Sequence, residues 1–324
     1  MHAPKHFQEL IEKEIASLSF PSSPAELYDP IRYMLELGGK RLRPALALMA
    51  HELFGGDPQK IIRPALALEV FHNFTLMHDD IMDRAPLRRS QATVHTKWNP
   101  NTAILSGDTM FVKSCQLMLQ ADSQHRSNVM ELFLKTAEEV CEGQQLDMNF
   151  ELRESVGISE YIEMISLKTA VLLGCALKVG SILAGAKTED SNLMYAFGKN
   201  IGIAFQLHDD ILDLYAESSK FGKQTGGDVL ANKKTILLIL ALKNGSNEDY
   251  RKLKYWIDDN SSKPSEKITA VREIFEQLNV RSLAEQEMEK YFQIAMNDFQ
   301  KVNVEPSRKE MLSQLVERLM VREV

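Results

Sequence analysis

Along almost the whole chain, apolar residues recur at three- and four-residue intervals, the period of one face of an α-helix. The pattern predicts helices over Phe7–Leu18, Ala25–Leu37, Arg43–Phe54, Ile61–Met82, Ala103–Leu119 and Val129–Asn149. It continues over Glu160–Leu183, Ser191–Tyr215, Lys234–Lys243, Glu266–Leu278 and Ser282–Val302. These segments are rich in Leu, Ala, Met, Glu and Lys, which lose little freedom on entering a helix. No run of alternating β-branched residues predicts a strand. Glycine and proline fall mostly between the segments, as at Gly55-Gly56-Asp57-Pro58 and Lys263-Pro264. Several helices are apolar around most of their circumference, which predicts central helices wrapped by others. The clearest polar breaks, Lys187–Ser191 and Asp258–Lys263, are too short to be interdomain linkers. One all-α domain covering residues 1–324 is the expectation.

Composition narrows the class. With 44% hydrophobic residues in 324, the chain can bury one large core. A formal net charge of −7 argues against a nucleic-acid partner. It leaves room for an anionic substrate, because local cations and a bound metal override the net field. Cys115, Cys141 and Cys175 match no zinc or redox spacing, so buried thiols in a reducing compartment are expected. Met1–Leu18 has no signal-peptide apolar region. Apolar runs such as Ile236–Leu242 are too short to span a bilayer. A soluble, cytoplasmic protein without membrane insertion is expected.

One hexapeptide occurs nearly twice: His78-Asp79-Asp80-Ile81-Met82-Asp83 and His208-Asp209-Asp210-Ile211-Leu212-Asp213. Each copy closes a long helical segment. Residues four apart share a helix face, so Asp79 projects with Asp83 and Asp209 with Asp213. Like charges at that spacing destabilise a helix, and its C-terminal end is the wrong end for carboxylates. The bland reading is two solvated acidic helix ends. The functional reading is hard-cation binding, since Mg²⁺ bridges one or two carboxylates to substrate phosphates.

Cations accompany the first cluster. Gly38-Gly39-Lys40-Arg41-Leu42-Arg43-Pro44 packs three of them around a glycine turn, and Arg88-Arg89 follows Asp83. Arginine forks match phosphate oxygens; taken alone, Arg88-Arg89 reads better as ordinary surface charge. After the second cluster comes a glycine- and lysine-rich loop, Lys220 to Asp228, then Asn232-Lys233-Lys234. It lacks P-loop spacing and reads as a phosphate lid or a plain surface loop. Lys168 sits in an apolar stretch, where it needs an anionic partner or must reach water.

In combination, GGKRLRP, HDDIMD followed by RR, GQQLD, KTA, FQLHDDILD, FGKQTGGD and NKKT resemble the trans-isoprenyl diphosphate synthases, in family order from Gly38 to Lys233. The resemblance implies a bundle of roughly ten or more helices around a deep central cavity, usually as a homodimer. It implies condensation of an allylic diphosphate with isopentenyl diphosphate, with Mg²⁺ as cofactor and three ions in each site. Asp79, Asp83 and Asp209 would ligate the metal, supported by Asp80, Asp210 and Asp213. Arg88, Lys168 and Lys223 would hold the allylic diphosphate, with Lys233 nearby. Lys40, Arg43, His72 and Arg89 would hold isopentenyl diphosphate. Thr169 and Gln206 would flank the carbocation. Read without the family, His72 is a structural histidine.

The resemblance also places product length on the helix before Asp79, at Phe74 and Thr75 one turn back and Phe71 a turn further. An aromatic Phe74, a small Thr75 and no insertion in the first cluster resemble medium-chain enzymes, with a C20 product ahead of C15. A long-chain polyprenyl diphosphate synthase is the alternative within the family. Outside it stand a terpene cyclase, which has no use for a second diphosphate site, and a His-Asp metal-dependent phosphohydrolase, which gives Asp83 and Asp213 no role. A non-catalytic subunit of a heteromeric synthase would have lost some of the six aspartates. Val324 ends a tail without the strongly basic character of some farnesyl synthases, which leaves closure of the isopentenyl site by the tail open.

Overall fold

A computed structural model describes residues 2–216, 226–259 and 262–320. The chain forms two compact units: Met1–Lys135 with Cys175–Tyr195 and Asn303–Leu312, and Thr136–Gly174 with Ala196–Val302 and Ser313–Val324.

The first unit contains α1 (Pro4–Ser17), α2 (Ala25–Glu36), α3 (Leu42–Leu53), α4 (Ile62–Met82), a short α5 (Val94–Lys97) and α6 (Pro100–Met118). Helix α4 lies along α6, with α3 against α4, α1 against α3 and α2 against α6. Every residue from Pro64 to Phe71 is buried, as is every residue from Pro44 to His51, so α3 and α4 are central helices as their patterning predicts. Proline starts α1 and α6 in their first turns, and the Asn99 side chain accepts a hydrogen bond from Thr102 N at the start of α6. Helix α3 begins after Gly38 and Gly39, both at positive φ, and Arg41, also left-handed at φ 47°.

Arg41 is almost wholly buried. Its guanidinium donates to Glu12 and Glu69, at 2.8 Å each, and to the Leu35 carbonyl. It therefore ties α1, α2 and α4 together from the first residue before α3.

The second unit holds α8 (Ile158–Ile165), α12 (Ile236–Asn244), α13 (Asn247–Asp258), α14 (Pro264–Gln277) and α15 (Val280–Lys301). A one-turn α11 (Gly227–Leu230) rests on α14. Residues Ile236–Ala241 are all buried, and α12 packs against α8, α13, α14 and α15. Helices α7 (Arg126–Glu151), α9 (Val171–Leu183), α10 (Thr188–Tyr215) and α16 (Pro306–Met320) are the remaining α-helices among the described residues.

Several expectations need correction. Glu160–Leu183 is not one regular helix: Ser166–Ala170 forms a π turn between α8 and α9. Helices α13 and α16 fall where no helix is predicted, because both are strongly polar and show only a thin apolar stripe. For α13 the missed signal is a capping box, Ser246 with Asp249. A two-stranded ladder, β1 (Leu87–Arg88) with β2 (Gln91–Ala92), is too short to register as alternation. Of the cysteines only Cys175 is buried; Cys115 is half-buried and Cys141 exposed. The continuous helical stretch Ile158–Leu183 is long and apolar enough to cross a membrane, yet 72% of its most apolar window is buried in the fold.

Truncating Arg41 strands the Glu69 carboxylate. Arg41→Met is expected to lower unfolding stability by about 3–5 kcal/mol, the range for breaking one side of a buried ion pair. The urea midpoint measures this; a change within about 1 kcal/mol, the size of a surface pair, would contradict the role.

Candidate active site

The first unit carries one half of the predicted machinery. Asp79, Asp80 and Asp83 occupy the last turn and cap of α4, with Asp79 half-buried, Asp80 buried and Asp83 exposed. Asp80 points inward. Arg88 Nε donates to both its oxygens at 3.0 and 2.9 Å, and a second guanidinium nitrogen lies 2.8 Å away. Burial raises the Asp80 pKa, and Arg88 opposes that shift. The hairpin makes this reach possible. Arg89 and Ser90 form its two-residue turn, both at positive φ, a conformation that costs free energy in residues with side chains. His78 turns away from the aspartate face: its Nε2 lies 3.2 Å from the Ile104 carbonyl and its ring packs on Phe74.

A second set of cations gathers on the same unit. Arg89 donates to the Gly38 carbonyl, at the glycine turn before Lys40. Lys40 is exposed. Arg43 is half-buried, its Nε has no hydrogen-bond partner, and burial draws its pKa down to about 10. His72 sits among these groups. Burial pushes its pKa well below the ordinary histidine range, and repulsion from Arg43, Arg89, Arg88 and Arg41 adds to the shift. Positive charge is thus concentrated around a neutral imidazole; Asp80 pairs Arg88 and Glu69 pairs Arg41, whereas Arg43 and Arg89 have no carboxylate ion pair of this kind.

Below these groups lies an aromatic cluster. Phe71 and Phe74 have ring centroids 5.5 Å apart, Phe111 stands 5.5 Å from Phe74, and Phe133 stands 5.3 Å from Phe71. Thr75 donates its hydroxyl to the His72 carbonyl. Phe111 and Phe133 escape a reading of the sequence, because α6 and α7 bring them in from a distance and nothing local marks them.

The second unit carries the other half. Asp209, Asp210 and Asp213 lie in the last turns of α10. Asp209 and Asp213 are half-buried; Asp210 is buried. Asp210 accepts from the Tyr161 hydroxyl, from Gln206 Nε2 at 3.1 Å and from Ile236 N at 3.4 Å. Burial, aided by the charge of Asp228, pushes its pKa up to about 8. Asp213 accepts from Asp228 N at 3.0 Å and so holds the start of α11. Lys233 follows that turn, its backbone N donating to the Asp228 carbonyl. Lys223 lies outside the described residues.

The π turn carries Lys168 and Thr169. Two glycines let neighbouring helices approach its backbone: a Cβ on Gly143 would sit 2.2 Å from Lys168 N, and one on Gly202 would sit 2.6 Å from Ala170 Cα. Lys168 does not reach out to bulk water; its Nζ is 2.5 Å from Asp147. Thr169 Oγ1 donates to Gln206 Oε1 at 3.3 Å. Neither Asp147 nor Tyr161 is among the predicted site residues, although Asp147 closes the GQQLD stretch. Among the described residues, no three His, Cys, Asp or Glu side chains converge as a ready-made metal cage.

The polyprenyl synthetase family matches residues 24–275. The chain belongs to this family. It is 41% identical over 241 residues to a geranylgeranyl diphosphate synthase of Methanosarcina mazei, covering 74% of each protein. It is 36% identical to a geranylgeranyl pyrophosphate synthase of Geoglobus acetivorans, covering 96% of each. The fold superposes on a crystal structure of a geranylgeranyl pyrophosphate synthase with a TM-score of 0.95, at 42% identity and full coverage of both chains. The enzyme is a prenyltransferase with the all-α isoprenoid synthase fold.

The depressed His72 pKa has a consequence for stability. The unfolded chain takes up this proton near pH 6.5 while the folded chain resists it. The contribution is therefore present above pH 6.5 and is lost as pH falls below it. Between pH 7.5 and 5.5 the urea midpoint of the wild type is expected to fall further than that of His72→Gln. Parallel declines would show that His72 titrates normally.

Proposed function

We propose that the enzyme condenses an allylic diphosphate with isopentenyl diphosphate, head to tail, and releases pyrophosphate, with a C20 product favoured over C15. The observation that carries this reading is the cationic cluster around His72, made by Arg43 and Arg89 beside the Asp80-paired Arg88, on the same unit as Asp79 and Asp83. A cyclase or a simple hydrolase has no use for so much positive charge beside a carboxylate cluster. A phosphohydrolase built on the His-Asp pairs would also need His78 free to ligate, and His78 faces the Ile104 carbonyl.

The donor set suits Mg²⁺. Asp79 and Asp83 are oxygen donors one turn apart at the end of α4, and Mg²⁺ takes one or two carboxylates and completes its shell with water and phosphate. Asp79, Asp83 and Asp209 would hold the metal, three ions in each site. Bound there, Mg²⁺ supplies charge stabilisation for the departing pyrophosphate.

The remaining steps belong to side chains. Arg88, Lys168 and Lys223, with Lys233 nearby, hold the allylic diphosphate and neutralise charge as the C–O bond breaks. Lys40, Arg43, His72 and Arg89 hold isopentenyl diphosphate, whose double bond attacks the allylic cation. A proton then leaves to restore an alkene. Thr169 and Gln206 present oxygens to the cation. Apolar helices exclude water, which would otherwise trap the cation as an alcohol. Phe74, backed by Phe111, limits the growing chain. The whole chain, 1–324, works as one catalytic domain.

The assembly is a cytoplasmic homodimer in this reading. Helix α6 and its C-cap residue expose Leu105 (60%), Val112 (55%) and Leu119 (47%), a stripe of apolar side chains suited to a second copy.

The test is incubation of pure protein with Mg²⁺, labelled isopentenyl diphosphate and C5, C10 or C15 primers, with the products sized. Asp79→Ala and Asp209→Ala are each expected to lower turnover on the order of a thousandfold or more without loss of helical circular dichroism. Turnover near that of the wild type in either variant removes the metal assignment. Phe74→Ala is expected to lengthen the product; an unchanged chain-length distribution excludes Phe74 as the stop.

A further inference from the structure

Asp210 and its neighbours form a hydrogen-bond chain that joins α8, α10, α12 and the π turn. Tyr161 on α8 is buried, and its hydroxyl donates to Asp210 Oδ2. The other oxygen, Oδ1, accepts from Gln206 Nε2, one turn earlier on α10. Ile236 N, at the start of α12, also donates to Oδ2. At the far end, Gln206 Oε1 accepts from Thr169 Oγ1 in the π turn.

Gln206 turns its NH₂ toward Asp210, whose carboxylate only accepts hydrogen bonds when ionised. In that form the reverse orientation would set Oε1 against a carboxylate oxygen. The amide thus keeps its oxygen on the Thr169 side. The distinction matters for chemistry: an amide oxygen stabilises a developing positive charge, whereas an NH₂ at the same place would repel it.

We propose that Tyr161 is a positioning residue for the prenyl transfer. By fixing the Asp210 carboxylate it orients the Gln206 amide so that Oε1, with Thr169 Oγ1, is presented to the allylic cation. The inference rests on the reaction proposed above. It also gives Asp210 a different task from Asp209: the proposed function puts the half-buried Asp209 on the metal, while Asp210 is buried and hydrogen-bonded to the scaffold.

The test is a double-mutant cycle between Tyr161→Phe and Gln206→Leu in the full-length enzyme with Mg²⁺ and both substrates. Tyr161→Phe is expected to lower kcat by about tenfold or more, with the KM of each substrate and the Mg²⁺ half-saturation unchanged within about twofold. In the Gln206→Leu background the same substitution is expected to add little. A second readout is the affinity of an ammonium analogue of the allylic cation, bound together with pyrophosphate. It should weaken in Tyr161→Phe, while a neutral isosteric analogue should not. If Tyr161→Phe does not fold, Tyr161→His keeps a ring and a donor and is expected to preserve discrimination between the two analogues.

Full additivity of the two substitutions, a shift confined to the Mg²⁺ half-saturation, or equal weakening of both analogues would overturn the proposal. A wild-type enzyme that transfers no prenyl group at all would instead overturn the reading of function on which it rests.

Discussion

Buried charge must be matched by a partner, and that requirement shapes the functional part of this enzyme. Moving a lone carboxylate or guanidinium into an apolar helix bundle costs several kcal/mol even after relaxation. Each such group that is buried here has an assigned counterpart: Asp80 with Arg88, Asp210 with Tyr161 and Gln206, Arg41 with Glu69. The half-buried Lys168 is matched in the same way by Asp147. Arg43 and Arg89, which have no comparable ion pair, gather around His72, where the proposed function places isopentenyl diphosphate. An enzyme that generates a carbocation has to keep water out, so it cannot rely on solvent to satisfy these groups. Internal pairing takes over that task.

The two acidic clusters solve the same problem in parallel. In each, the first aspartate is half-buried and the second turns inward to a donor from a different element. For Asp80 that donor comes from a strained hairpin, for Asp210 from a neighbouring helix. Under the proposed function, the shared design is one aspartate for metal beside another that anchors a working side chain: Arg88 in one cluster, Gln206 in the other. The repeated hexapeptide is therefore a repeated division of labour between adjacent residues, made possible by the helix, which sends consecutive side chains in different directions.

Much of this was legible in the sequence for a specific physical reason. The long helices α4 and α10 bury wide faces and so carry strong periodicity, and two DDxxD stretches at their ends are costly enough to demand an explanation. The π turn at Ser166–Ala170 was not legible, because the surrounding composition is that of an ordinary apolar helix. It lies where Gly143 and Gly202 admit its backbone closely, which only the packed structure reveals. Tyr161, Asp147, Phe111 and Phe133 were invisible for a related reason: each acts through a partner distant in sequence. Helices α13 and α16 were missed because polar surfaces hold their pattern below the level at which periodicity speaks, although Ser246 and Asp249 mark one of them.

The central claim is that aspartates and magnesium together grip a diphosphate. Calorimetric titration of inorganic pyrophosphate into the wild type, Asp79→Ala and Asp209→Ala, each with Mg²⁺ and with EDTA, tests it without any turnover. The account predicts strong binding by the wild type only when Mg²⁺ is present, weakened about tenfold or more by either substitution, since the ion bridges carboxylate to phosphate. Equal affinity in EDTA, or affinity untouched by both substitutions, would contradict it.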